Sequence, residues 1–590
     1  MKKQLNKIIF SLILLLAISL RVYQVDTLLP PYWEEIALGY DAFSISQTAN
    51  DHHGNFMPIV AFESFGDWKP SFYFYSIVPF IKIVGLNTLA VRLPSILAGL
   101  SITIGVWLLI KLILPKQVLN NKPYLPLLGM FVTAISPWAV MFSRAAWEVN
   151  LSTSLILWGI ICFIKFIKTS QTNYSLLACS ILLLALSMYT YHSTRIIAPV
   201  MGMMLIALWF SNTNKSSKFI SNFQTFVNKN ANTLLISTFV TGLLLSPLLI
   251  NLTSNTTTQR FKQTSIFSDI SIIEESNQGQ LAQNNIIGKI FYHRYILFGR
   301  EIMVNYLNHF NLNFLFISGD SNPRHSSQYF GQLYHIELVY LILGVIFVLA
   351  TLRKIKNDPY PREYKNYLWF LIGWLLIGIF PASITKATPH ALRILPTLPV
   401  FIIFITLGIG LFIDEVQKLL AKIKIRHKRL PNIILSSIII FYLLELAVFW
   451  RNYTLIYPIQ YANQWQSGYQ EMVNTLAEYN DGTIPLYITR EQGRPAMYYW
   501  FYTKTDPSLV QQWDKTAKMD QGEYLEFKNI KFVNSLQEVT ATPAFVVGSE
   551  EQVNKIELDK NTELTVLNSI KDLSNKTIWV IGKINEKDIY

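Results

Sequence analysis

Apolar residues run along this chain in long blocks separated by short polar stretches. Eleven windows are nearly free of charge, at approximately 8–25, 92–112, 123–141, 150–167, 174–190, 196–211, 232–250, 336–352, 367–383, 395–413 and 432–450. A helix of about 20 apolar residues crosses roughly 30 Å of hydrocarbon. The pattern predicts a polytopic α-helical membrane protein with about 11 spans in residues 1–450. Two longer connections, 26–91 and 251–335, interrupt the series. The first contains KPSFYFYSIVPFIKIVGL at 69–86, aromatic, bounded by proline and too short to span. It is expected to be an interfacial or re-entrant segment.

Beyond Arg451 the pattern changes. Trp465, Tyr469, Met472, Leu476 and Tyr479 fall at helical spacing, giving one apolar stripe. Short β-prone runs follow: PLYIT at 485–489, AFVVG at 544–548, LTVLN at 564–568 and TIWVIG at 577–582. Residues 451–590 are therefore expected to form a small α/β domain.

Composition excludes several classes. Hydrophobic residues make up 51% and charged residues 15%, against about 25% charge in a soluble domain. Disorder, coiled coil and ordinary soluble enzymes are ruled out. The net charge of +13 first suggests a nucleic-acid partner. Residues 451–590 carry 14 Lys+Arg against 18 Asp+Glu, however, and the first 450 carry 36 against 19. The excess belongs to the membrane part, so no nucleic-acid partner is expected.

The positive-inside bias explains that excess. With the N-terminus in the cytoplasm, the inner turns hold Lys111, Lys116 and Lys122; Lys165 and Lys168; Lys215, Lys218 and Lys229; Arg353, Lys354 and Lys356; and KIKIRHKR at 422–429. An odd number of spans puts 451–590 outside the cytoplasmic membrane. The first window, preceded by Lys2, Lys3 and Lys7, reads as an uncleaved anchor. Cys162 and Cys179 both lie in apolar runs, which argues against a disulfide framework or a cysteine zinc site.

Charge near hydrocarbon is costly unless it is used, so the placement of polar residues is informative. Glu34 and Glu35 stand in PPYWEE, Asp67 and Lys69 in FGDWKP, Arg92 in RLPS, and Arg144 and Glu148 in FSRAAWEVN. Tyr191, His192 and Arg195 stand in YTYHSTR, Arg324 and His325 in GDSNPRHS, and His390 and Arg393 in TPHALR. All are expected at the outer ends of spans. Taken singly, each has an ordinary reading: solvated acids, snorkelling Lys and Arg, hydrogen-bonded histidines. Asp51-His52-His53 resembles a metal half-site, although adjacent residues chelate one ion poorly. The clustering is what points to chemistry. A carboxylate can take a proton from a hydroxyl group, and Arg and Lys at the same depth can clamp a phosphate. Together they suit group transfer from a lipid phosphate.

These motifs resemble a known family. Pro-Pro-x-W with an acidic pair, a later Lys-Pro and then R-L-P-S are similar to the protein O-mannosyltransferase-like group of GT-C glycosyltransferases, which includes the lipid A aminoarabinose transferases. HGNFMP at 53–58, SPWAVMFSRAAWEVN at 136–150, MYTYHSTR at 188–195, GDSNPRHS at 319–326 and PASITKATPHALR at 381–393 resemble a bacterial subgroup. The resemblance covers roughly residues 8–450. It implies a GT-C-like fold, a polyprenyl-phosphate-linked sugar as donor, and inverting transfer to an extracytoplasmic acceptor. It places the catalytic base at Glu34, with Glu35 beside it, where the family usually has Asp-Glu. Lys69 is implied as the donor-phosphate contact, with Arg92 and Arg393 as further phosphate candidates and Glu148 as a second acid. Asp67, Arg144, Tyr191, His192, Arg195, Arg324, His325 and His390 are expected to line the substrate cavity. Some GT-C relatives hold a divalent metal through Asp-x-Asp in the first outer loop. This chain lacks that motif there, so no metal and no other cofactor is expected. Two other readings stand beside the transferase: a flippase for a lipid-linked glycan, and a non-catalytic envelope protein that binds glycan.

Overall fold

Each of the eleven apolar windows forms helix, as backbone in hydrocarbon must satisfy its own hydrogen bonds. The computed structural model describes residues 2–587, apart from 170–172, 214–218, 252, 284, 354–359, 424–428 and 481. Lys215, Lys218, Lys354, Lys356 and most of the KIKIRHKR run therefore lie outside the described residues. Among the described residues, eight helices are long and apolar enough to cross a membrane. The window at 123–141 forms two helices, Leu125–Ile135 and Pro137–Ser143, bent by 56° at the break. The break follows from Pro137, which cannot donate to the preceding turn, and Ser136 caps the new helix by accepting from the Ala139 amide. Tyr174–Met188 and Glu337–Leu352 are apolar but shorter. The chain is a polytopic helical membrane protein with a C-terminal α/β region. It divides into two compact units, Met1–Tyr23 with Ser95–Trp450, and Gln24–Pro94 with Arg451–Tyr590.

In the first unit the helix Leu398–Lys422 is enclosed, its residues from Leu398 to Gly410 all buried. It crosses Glu337–Leu352 at two glycines. A Cβ on Gly344 would overlap the Phe404 carbonyl, and one on Gly408 the Tyr340 carbonyl. Backbone meets backbone there, the close approach that small residues permit between membrane helices. The Cys162 and Cys179 sulfurs lie 3.6 Å apart as free thiols.

The second unit joins the first long connection to the C-terminal region. Helix Trp33–Thr48 leads to the antiparallel hairpin Ala61–Ser64 and Asp67–Pro70. Its turn has positive φ at both central residues, Phe65 and Gly66, as two-residue hairpins require. The helix Phe72–Val84 follows, 13 residues long, on the stretch expected to be interfacial or re-entrant. The C-terminal region carries a six-stranded sheet in the order Glu526–Phe527, Ile530–Val533, Leu486–Thr489, Ala544–Gly548, Thr577–Glu586, Thr562–Lys571. Its three central strands pair in parallel and its outer pairings are antiparallel. All four β-prone runs fall on strands. The apolar stripe is helical only from Tyr469, because Gly468 takes φ +90° and starts the helix there. Trp465, Tyr469, Met472 and Leu476 are buried, whereas Tyr479 is exposed. Helix Trp33–Thr48 packs against Pro495–Thr503 and Pro507–Asp514, so residues 24–94 share a core with 451–590.

Candidate functional site

Five of the sequence-selected residues lie in the second unit. Glu34 and Glu35 occupy the first turn of helix Trp33–Thr48 and have opposite fates. Glu35 is fully buried. Its two oxygens accept from Arg92 Nε at 2.8 Å and Nη2 at 2.7 Å, a bidentate pair. Arg92 Nη1 donates to the carbonyls of Val25 and Leu29, and Nη2 also to that of Pro30. A guanidinium has five N–H groups, and here each has an acceptor. Besides Glu35, the backbone carbonyls of Val25, Leu29 and Pro30 thus accept from the Arg92 guanidinium. Arg92 and Glu35 tie the entry segment to the start of the helix.

Glu34 is partly exposed and forms an ion pair with Lys69 Nζ at 3.0 Å. Tyr32 OH donates to the same carboxylate oxygen at 3.4 Å. Lys69 lies on the hairpin, its ammonium 5.8 Å from the Trp33 ring centre. Arg494 comes from the C-terminal region, with its guanidinium carbon 5.1 Å from the Trp33 ring and 4.3 Å from that of Phe65. It also pairs with Glu523 at 3.1 Å. Asp67 accepts from the Trp68 amide at 2.8 Å within the hairpin. Beside this group lies a cleft of about 510 Å³, lined by Asp26, Thr27, Pro30, Gln466, Tyr469 and Tyr502 among others. Gln466 connects the two, its Oε1 accepting from the Trp33 amide at 2.9 Å. The arrangement offers a carboxylate open to solvent, a cation beside it, and a polar cleft next to the helix start.

The Asp51-His52-His53 stretch is used differently. His52 Nδ1 faces Asp41 at 2.6 Å and His53 Nδ1 faces Asp514 at 2.8 Å. The two imidazoles thus serve separate carboxylates. Burial opposes charging of His53, but the hydrogen bond and charge of Asp514 outweigh it and raise its pKa to about 8.

The remaining nine residues lie in the first unit. Arg144 donates to the carbonyls of Leu20 at 2.9 Å and Tyr23 at 2.7 Å, so it caps the C-terminal end of the first helix. Arg21, which the sequence reading passed over, is completely buried and bonds to Ser143 Oγ and to the carbonyls of Ala17, Thr133 and Ala134. Its position inside an apolar window was the available signal. Arg195 Nε donates to the Met188 carbonyl across the turn that holds Tyr191 and His192. Arg393 Nη1 donates to Thr385 Oγ1 and the Ala387 carbonyl. Arg324 and His325 form a short 3-10 turn with Pro323.

Three of the quoted motifs meet at His325. Its ring lies 5.2 Å from Trp147, which immediately precedes Glu148 at the start of helix Glu148–Lys168, and 4.8 Å from the ring of His390. Asp320 Oδ2 lies 3.2 Å from His325 Nδ1 and 3.7 Å from His390 Nδ1. The turn depends on Gly319, at φ +83°, where a Cβ would come within 2.5 Å of Ser326 Cβ. Buried His309 accepts from the His390 amide at 3.2 Å, and its own Nδ1 faces the Asn305 carbonyl. Burial lowers its pKa to about 4. Asp320, His309 and Arg494 were not singled out in the sequence. Asp320 sat unnamed inside GDSNPRHS, and the other two gain meaning only from long-range packing.

No protein-family model matches the chain, and no curated protein matches it. Among solved structures it is similar to ArnT from Cupriavidus metallidurans bound to undecaprenyl phosphate, at 11% identity and a TM-score of 0.48, covering 98% of each chain. The apo state of that protein gives 11% identity and 0.44, again covering 98% of each chain. The oligosaccharyltransferase AglB from Archaeoglobus fulgidus, in complex with an inhibitory peptide and a dolichol-phosphate, gives 10% and 0.48, covering 85% of this chain and 64% of that one. At such identities and scores, likeness of chain course carries no argument about chemistry.

Proposed function

We propose that this chain is a membrane glycosyltransferase of the GT-C kind, which takes a sugar from a polyprenyl-phosphate donor and passes it to a hydroxyl-bearing extracytoplasmic acceptor. The supporting observation is the contrast between two neighbouring acids. Glu35 is sealed against Arg92, while Glu34 stays partly exposed beside Lys69. That contrast supports Glu34, rather than Glu35, as the group that exchanges a proton with a bound hydroxyl. In the reaction its carboxylate takes the acceptor's proton as the acceptor oxygen bonds to the anomeric carbon. The bond from that carbon to the phosphate oxygen breaks on the opposite face, inverting the centre. The leaving lipid phosphate gains charge, and Lys69 is the cation that stabilises it, a contribution of about 3–4 kcal/mol for a well-placed donor. Glu35 and Arg92 hold the segment in position. Glu148, Arg324 and Arg393 are candidates for substrate contact. In this reading the protein sits in the cytoplasmic membrane with its N-terminus inside and residues 451–590 outside, as the lysine distribution suggests.

The test uses the purified full-length chain in liposomes with radiolabelled polyprenyl-phosphate sugars, following sugar release or transfer. Glu34→Gln is expected to abolish turnover while donor binding persists, and Lys69→Ala to weaken both. Undiminished transfer by Glu34→Gln would reject Glu34 as the base. Movement of labelled lipid across the bilayer, unaffected by Glu34→Gln and without transfer, would replace the transferase with a flippase.

A further inference from the structure

Asp320, His325 and His390 are the described residues whose ligating atoms come close enough to share one metal ion, all within 4.8 Å of one another. We infer that they form a binding site for a zinc-type dication, separate from Glu34 and Lys69. Bonds of about 2.1 Å in a tetrahedral shell place ligand atoms about 3.4 Å apart. The two separations from Asp320 Oδ2, 3.2 Å to His325 Nδ1 and 3.7 Å to His390 Nδ1, bracket that value, and with all three atoms within 4.8 Å of one another a bound ion would draw the two imidazoles together. Both imidazoles turn the same nitrogen toward one carboxylate oxygen.

The carboxylate is fixed before any ion arrives. Asp320 Oδ1 accepts from the Asn322 amide at 2.9 Å and Oδ2 from the Ala391 amide at 2.7 Å. The His390 backbone is held in turn by His309. Phe142 and Trp147 rings stand against His325, giving the apolar surround that orients metal-bound imidazole. Two imidazoles and one carboxylate suit zinc and similar transition metals, whereas magnesium and calcium require an oxygen shell. Three protein ligands leave a fourth position for water or an oxyanion. The ion would tie GDSNPRHS to TPHALR, two motifs about 65 residues apart in the chain.

The full-length protein in detergent is stripped with chelator, equilibrated with zinc sulfate, desalted and assayed for metal by mass spectrometry. Wild type and His293→Ala, an exposed control, are expected to retain about one zinc per chain. His325→Ala and His390→Ala are expected to lose it. X-ray absorption of zinc-loaded wild type is expected to report two imidazoles in the shell, a readout that needs no variant to fold. Wild type retaining no zinc, variants retaining it equally, or a shell with fewer than two imidazoles would each overturn the assignment.

Discussion

Replacing Arg92 by Met decides whether this residue builds the site or binds the donor. The substitution removes a guanidinium that satisfies both Glu35 oxygens and the carbonyls of Val25, Leu29 and Pro30. It leaves Glu35, completely enclosed, as a buried carboxylate without its counter-charge. Removing one partner of a buried pair costs about 3–5 kcal/mol. The second unit has about 200 residues, and for a cooperative unit of that size the loss corresponds to a fall of roughly 6–20 °C in Tm. The double substitution Glu35→Leu with Arg92→Met is expected to recover much of this, since an apolar pair of similar volume often replaces a buried ion pair without loss. Thermal unfolding of the full chain in detergent, read by tryptophan fluorescence and by protease cleavage within 24–94, completes the double-mutant cycle. A Tm within about 2 °C of wild type, together with lost polyprenyl-phosphate binding, would refute the structural role and restore Arg92 as a phosphate ligand.

The His53–Asp514 pair makes stability depend on pH. The His53 pKa rises from 6.5 unfolded to about 8 folded, so its contribution, about 2 kcal/mol at most, is complete below about pH 6.5 and lost as pH rises through 8. The Tm gap between wild type and His53→Ala is expected at about pH 6 and absent at about pH 9; a gap that widened with pH would contradict it. Gly408→Ala drives a Cβ into the Tyr340 carbonyl and is expected to cost about 1–3 kcal/mol by forcing the two helices apart; Ala at the open helical position Gly242, measured in parallel by thermal unfolding, should instead stabilise by up to about 1 kcal/mol. Arg494→Ala removes the cation between the Trp33 and Phe65 rings, worth about 1–2 kcal/mol, and should speed proteolysis at the 65–66 turn; unchanged cleavage would show that the stacking does not hold the hairpin.

The helices were legible because hydrocarbon imposes one requirement, a long uncharged run, that any sequence must display. The polar residues were legible as a group for the complementary reason: charge near an apolar span must find a use. Their uses were not legible. Arg92 and Arg144 look alike in sequence, cations at span ends and both candidates for substrate. Both donate to backbone carbonyls, of Val25, Leu29 and Pro30 in one case and of Leu20 and Tyr23 in the other. A carbonyl is present at every residue, so a guanidinium's backbone partners leave no trace in the side-chain pattern. The same limit hid Arg494, which reaches Trp33 across more than 450 positions, and the strand Ile530–Val533, too short for its alternation to stand out.

Adjacent acids divide by the same logic. Nothing in PPYWEE separates Glu34 from Glu35, yet the step of about 100° between adjacent helical positions turns Glu35 inward, where it accepts from the Tyr32 amide and Arg92, and leaves Glu34 at the rim beside Lys69. The Glu35 carboxylate already accepts two charge-assisted hydrogen bonds from Arg92, one on each oxygen. The Glu34 carboxylate, beside Lys69, stays partly exposed to solvent. Choosing between the two acids is therefore a question about Arg92. If Arg92 is structural, Glu35 is committed with it, and proton transfer in this unit's helix start falls to Glu34.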